Sequence, residues 1–377
     1  MSATICLAPA NTVAYPAGGG HLWVYLQWAL GLRALGCRVT WLEVVDPTGP
    51  AEQLRARVAT LRGHLARFGL GEALALCSPT GAPLPGDLAA GVADLDGAAG
   101  ADLLLNLWHS LPAPVVARFR RSALVDTDPG ALQMWMTTGQ VRVAPHDIYF
   151  TIGETVGTPA ATFPDCGLQW HYTPPPVFLP EWPSTRVNNG APYTTVAHWW
   201  GGTFEFRGVT FSNEKRAVFL EYLSLPSRTR AKLELAVCLA EHFEEYRKVF
   251  EPAGWRLREA WDVSSTPHDY RAYIQRSRGE FSCAKPFCLA IRNAWVSDRT
   301  LCYLASGKPA VVQHTGPSRL LPDAEGLFRF RSLAEAAQAL EQAESDFDRQ
   351  CRLARALAEA HFDAQRVVCS VLERALA

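Results

Sequence analysis

The sequence predicts an α/β protein built from two Rossmann-like, doubly wound domains facing across a cleft. Three observations carry that expectation. Short apolar runs alternate with amphipathic helical patterns through the first half of the chain. A proline-rich stretch, TPPPVFLPEWP at residues 173–183, then interrupts the alternation. Beyond it the alternation restarts.

The strand-like runs of the first half are ICLAPA, RVTWLEVV, ADLLLNLW, SALVDTD and DIYFTIG. Between the early ones lie amphipathic segments such as AEQLRARVATLRGHLARFG, with apolar residues at helical spacing. The proline-rich stretch lacks ladder donors and disfavours helix, so it reads as the linker. After it come a strand YTTVAHWW, a helix-rich stretch around LELAVCLAEHFEEYRKVFEPAG, then WRLREAWDV, a helical YRAYIQRS, and strand-like EFSCA and KPAVVQ. Ser332 and Glu335 of SLAE form a capping-box pattern, and two amphipathic helices, AEAAQALEQAES and FDRQCRLARALAEAHF, close the chain.

With 377 residues, 48% of them hydrophobic, the chain is long enough for two ordinary domains. The net charge is −1 and no basic run occurs, so neither a nucleic-acid backbone nor an anionic membrane is the expected partner. A small molecule is. No stretch of about 18 apolar residues and no signal-peptide pattern is seen, which reads as a cytoplasmic protein. The ten cysteines form no CxxC and no paired Cys/His spacing, so they are expected as buried thiols with no metal site.

In open α/β sheets ligands sit outside the carboxyl ends of the strands, which selects the loops GGGH, DTDPG, WWGG and QHTG. A glycine run at the end of a first strand lets backbone approach a ligand closely, and His21 stands at its mouth, where a helix begins.

Residues Gly20 and His21 through GCRVTWLEV resemble the opening of the nucleotide-sugar-dependent glycosyltransferases of the GT-B fold. A longer stretch, SDRTLCYLASGKPAVVQHTG followed by LLPDAEGLFRF, resembles the donor-domain segment of spore-maturation-type members of that superfamily. Cys302 stands where many members carry a glutamate. The resemblance implies an acceptor-side domain at residues 1–180, a donor domain at 181–355 and a C-terminal helix, 356–377, returning to the first domain. It also implies metal-independent transfer of a hexose from a nucleoside-diphosphate sugar, the co-substrate, to a small-molecule acceptor, with no further cofactor.

That chemistry needs a base for the acceptor hydroxyl and positive charge for the leaving diphosphate. His21 fits the base in an inverting reaction, because imidazole titrates near neutral pH and a helix N-terminus disfavours its cation. Asp126 or Asp128 could hold its tautomer, although DTDPG is also a turn sequence. Gly19, Gly20, Trp108 and His109 are candidates to line the acceptor pocket. On the donor side, Gly201 and Gly202 would let amides approach the phosphates. His314, Thr315 and Gly316 could contact sugar or phosphate, Ser297 and Asp298, which open a helix, are also candidates to bind the donor, and Arg299, with Lys285 second, could hold the diphosphate. The triplet DTD has the spelling of a metal-binding carboxylate pair, but three-letter motifs arise by chance. Competing expectations are a sugar-nucleotide epimerase, a non-catalytic nucleotide-sugar-binding protein and an NAD(P)-dependent oxidoreductase, the last opposed by the missing third glycine of GxGxxG.

Overall fold

The computed structural model describes residues 3–86, 88 and 91–377. They fall into two compact units, one of Met1–Phe178 with Ala364–Ala377, the other of Leu179–Asp363.

The first unit runs β1 Thr4–Ala8, α1 Gly19–Ala34, β2 Arg38–Val44, α2 Ala51–Ala66, β3 Leu74–Cys77, α3 Leu95–Ala99, β4 Leu103–Asn106, α4 Ala113–Val116, β5 Ser122–Asp126, α5 Ala131–Thr138, β6 Ile148–Thr151 and β7 Trp170–Tyr172. Its seven strands are all parallel, in the order β3-β2-β1-β4-β5-β6-β7. Central β1 pairs Cys6 with Thr40 on one side and with Leu104 on the other. Helices cover both faces of a parallel sheet, which is why strands such as LLLN are buried at every position rather than at alternate ones. The helix Ala364–Leu376 completes the unit, its first amide donating to the Val177 carbonyl at 2.9 Å.

The second unit repeats the winding with β8 Tyr193–Ala197, a hairpin of β9 Thr203–Phe206 and β10 Val209–Ser212, α6 Lys215–Glu221, β11 Leu233–Val237, α7 Phe243–Phe250, β12 Arg256–Glu259, α8 Trp261–Ser264, α9 Pro267–Gln275, β13 Gly279–Ser282, α10 Pro286–Ile291, α11 Asp298–Ala305, β14 Ala310–Gln313, β15 Ala324–Glu325, β16 Leu327–Phe330, α12 Leu333–Ser345 and α13 Phe347–His361. The sheet order is β12-β11-β8-β13-β14-β16-β15, parallel except for β15. Counted along the chain within each sheet, both place the first five strands 3-2-1-4-5, the Rossmann arrangement around the first strand.

Several elements depart from the sequence reading. LELAV is a strand rather than part of a helix: it is buried throughout, and its one charge, Glu234, is met by Arg256, Arg258 and the Tyr273 hydroxyl. The helical pattern continues through it only in composition, since the chain turns at Ala240, whose φ is 49°. Strands β3 and β7 and the β9–β10 hairpin are too short to show a period in sequence. Three helices, not two, close the chain, and the third begins at Ala364. At the capping box the Ser332 hydroxyl accepts from the Glu335 amide, while the Glu335 carboxylate accepts from Arg331.

Candidate functional site

In each unit the strand order reverses between the first and fourth strands, so the loops leaving those two strands diverge and open a crevice. In the second unit these are the loops after β8 and β13. The first carries His198 to Gly202, the hairpin and then Lys215 at the start of α6, and the second carries Lys285 before α10.

Lys215 is the electrostatic centre of this crevice. It is 7% exposed, and no hydrogen bond or ion pair reaches its ammonium group among the described residues. Burial first, then Arg299 and Lys285, pushes its pKa down to about 7. Desolvation, Lys215 and Lys285 likewise hold His198 below the ordinary histidine value. Three nitrogen bases thus share one crevice, and the carboxylate that acts on Lys215, Glu280, is hydrogen-bonded to Arg299, an arrangement suited to an anion.

Arg299, the cation expected from sequence to meet the ligand, is 6% exposed and used internally. Its Nε donates to Glu280 Oε1 at 2.8 Å, and its terminal nitrogens donate to the Val196 carbonyl, at 2.9 Å, and to the Ser282 hydroxyl. Lys215 carries no such partner, and in sequence it is hidden within NEKR, which has the look of a solvated charge run. The one available signal was its place just before an apolar helix face.

Gly201 supports a close approach. A Cβ there would lie 2.4 Å from the Asn213 carbonyl oxygen, because Gly202 and Asn213 close the hairpin's base with a 3.0 Å hydrogen bond. Trp199 is buried among Phe219, Tyr246 and Phe250, whereas Trp200 is 39% exposed with the Arg216 guanidinium over its ring. Thr315 and Gly316 serve the neighbouring loop. The Thr315 hydroxyl donates to the Trp295 carbonyl at 2.6 Å, its carbonyl accepts from Ala294, and Gly316, at φ 125°, sits where a Cβ would meet the Arg292 carbonyl at 2.4 Å. The His314 Nδ1 accepts from the Gly316 amide at 3.1 Å, and burial with Arg329 and Arg331 holds this imidazole below its ordinary pKa. Ser297 is the N-cap of α11 without a capping hydrogen bond from its side chain, and Asp298 lies in the first turn.

In the first unit the corresponding loops leave β1 and β4. His21 is the third residue of α1, and Gly18, not the histidine, is its N-cap. Gly19 is buried and Gly20 half-buried in the same first turn. The His21 Nε2–H donates to the Ala10 carbonyl at 2.7 Å, which puts the ring's lone pair on Nδ1. Tyr15 and Tyr25 meet the ring edge-on at 5.8 and 5.2 Å.

The two aspartates divide. Asp126 ends β5, is 1% exposed, and accepts from Gln133 Nε2 (2.9 Å), the Thr151 hydroxyl (3.0 Å) and the Asp128 amide (2.9 Å). Burial pushes its pKa up to about 7 against those donors. DTD is therefore a hydrogen-bonded turn, and its inward aspartate anchors α5. The Asp128 charge is felt by His109, which burial otherwise holds below the ordinary value. The structure thus brings Asp128 to His109, and neither carboxylate has His21 as its hydrogen-bonding partner. Trp135 lies 5.8 Å from His109, while Trp108 packs at the edge of the core. Among the described residues no cluster of His, Cys, Asp and Glu could hold a metal ion, and no helix is long and apolar enough to cross a membrane.

Two Rossmann-like units wound alike, with the C-terminal helix rejoining the first, define the GT-B fold, and the chain has it. Solved structures agree across its whole length. Anabaena HepE in complex with UDP-glucose matches with a TM-score of 0.59 and 12% identity over 99% of this chain and 100% of that one. Sucrose-phosphate synthase from Thermosynechococcus elongatus matches at 0.55 and 11%, over 99% and 98%. A glycosyltransferase from Rickettsia africae matches at 0.54 and 8%, over 99% and 97%. No family model and no curated protein matches the sequence.

Proposed function

We propose that this protein is a glycosyltransferase that takes a sugar from a nucleoside-diphosphate sugar, its second unit holding the donor and its first unit a small-molecule acceptor. The observation that carries the reading is Lys215, a buried lysine that no ion pair or hydrogen bond holds among the described residues, at the carboxyl ends of β8 and β13, joined by Lys285 and His198. A diphosphate supplies the missing negative charge, and the amides beside Gly201 and Gly202 supply donors to its oxygens. The GT-B fold, shared with a protein solved with UDP-glucose, supports a uridine nucleotide as the first donor to test.

In the reaction His21 Nδ1 takes the proton of the acceptor hydroxyl as its oxygen attacks the anomeric carbon. The bond to the diphosphate breaks with inversion, and the departing charge is stabilised by Lys215. Arg299 contributes by bracing β8 against β13 rather than by touching the donor.

A thermal-shift screen of UDP, GDP, TDP and ADP, their sugars and NAD(P) against wild type and Lys215→Met tests the assignment. Stabilisation of wild type by one nucleotide, reduced in the variant, is expected. A response to NAD(P) alone would refute it. Donor hydrolysis without acceptor would point to the epimerase reading.

A further inference from the structure

The loop between β1 and α1 is held by an acidic clasp that the transfer chemistry leaves unused. Glu43, at the carboxyl end of β2, is 1% exposed. Its Oε1 accepts from the Thr12 amide at 3.2 Å, from the Thr12 hydroxyl and from the Trp41 indole nitrogen at 3.3 Å. Its Oε2 accepts from the Val13 amide at 3.2 Å. The two amides and the indole nitrogen can only donate, and the Thr12 hydroxyl, which accepts from Trp41 Nε1 at 3.2 Å, has its proton for Glu43, so the cradle matches an ionised carboxylate. The clasp closes on a strained piece of backbone, since Asn11 holds a φ of 55°.

From the clasp two routes lead to His21. One runs along the backbone from Thr12 to Ala10, whose carbonyl accepts from His21 Nε2 at 2.7 Å. The other runs through aromatic edges, with Trp41 meeting Tyr25 at 6.4 Å and Tyr25 meeting His21 at 5.2 Å.

We propose that Glu43 is a positioning residue for His21: its ionised carboxylate fixes residues 10–13 so that the Ala10 carbonyl holds the imidazole in the Nε2–H tautomer, with Nδ1 as the basic nitrogen. The functional weight of this inference rests on His21 being the base. Burial pushes Glu43 up to about 7 against the hydrogen bonds from Thr12, Val13 and Trp41, so the clasp is intact above neutrality and loosens below it. The titratable group facing it from β3 is Cys77, whose thiol burial and this carboxylate push up to about 11, and Cys6 of β1 lies beyond. On the α1 side the titratable group packed against the clasp is Tyr25, whose ring meets Trp41 at 6.4 Å.

The test is NMR of the intact protein carrying nitrogen-15 histidine, with the His21 signals assigned by their loss in His21→Gln. Wild type should show the Nε2–H tautomer above pH 8, with an inflection near pH 7 that follows Glu43. In Glu43→Gln the amide cannot accept from both Thr12 and Val13, so the Nε2–H fraction should fall by about twofold or more and that inflection should vanish. Thr12→Val removes one donor at constant volume and should shift the tautomer the same way by less, which covers a Glu43→Gln protein that does not fold. An unchanged His21 spectrum in whichever variant folds overturns the proposal. The spectrum needs no turnover: a wild type that transfers no sugar counts against the function above and leaves this result standing.

Discussion

Nucleotide binding should take up a proton, and the amount follows from Lys215. Its pKa is pushed from 10.5 to about 7 by burial and by Arg299 and Lys285. That displacement of about 3.5 units corresponds to roughly 5 kcal/mol held against the charged form. At pH 8 the empty protein therefore carries a proton on Lys215 in about one molecule in ten. A bound diphosphate restores the charge, so binding takes up about 0.9 proton, and affinity should fall about tenfold per pH unit between roughly 7 and 10. Calorimetric titration of the stabilising nucleotide in Tris and in HEPES at pH 8 reads this directly, because the apparent enthalpies differ by the proton uptake times the difference in buffer ionisation enthalpy. The nucleotide's terminal phosphate is fully ionised at that pH and adds nothing. Lys215→Met should abolish the buffer dependence and flatten the pH profile. Measurable binding with zero proton uptake in wild type, or an undiminished uptake in Lys215→Met, refutes the placement of the diphosphate at this lysine.

Four further outcomes are expected. His21→Gln should lower transfer by about 10²–10⁴ while leaving the nucleotide's thermal shift unchanged, and a variant of near wild-type rate sinks the base assignment. Arg299→Met should cost about 3–5 kcal/mol in urea unfolding, because it strands the buried Glu280 carboxylate; lost nucleotide binding at unchanged stability would instead make it a ligand group. Asp126 titrates near 3.8 unfolded and about 7 folded, so the native state holds the extra proton in that window and stability falls as pH rises through it. The contribution is on the order of 4 kcal/mol, and urea midpoints of wild type and Asp126→Asn from pH 4 to 7 should converge in slope only if this account fails. Gly316→Ala should lose about 2–3 kcal/mol, since φ 125° and the Arg292 carbonyl at 2.4 Å both oppose a Cβ; a neutral substitution would show that the loop yields.

The chain's alternation of apolar runs and amphipathic helices, its proline break and its glycine-bearing strand ends were legible in the sequence because they are local. A strand buried on both faces is apolar at every position, a helix shows its period over four turns, and proline acts on its own backbone. These sufficed for two wound α/β units and for placing GGGH and WWGG in the connections that follow the first strand of each unit. They failed for LELAV, where a buried strand and a buried helix share one composition, and for β7, which is three residues long. Which charges are available for chemistry was decided only by the tertiary structure. Arg299 and Lys215 are equally basic on paper, yet Glu280 of β13 is hydrogen-bonded to Arg299 of α11, while Lys215 is buried with no ion pair of its own among the described residues. Asp126 and Asp128 are two residues apart, and the inward turn of the β5 terminus sends the first to Gln133 and Thr151 while the second is left to His109. Burial and counter-ions are set by strands that meet only when the sheet is wound, and a protonation state is a property of that meeting.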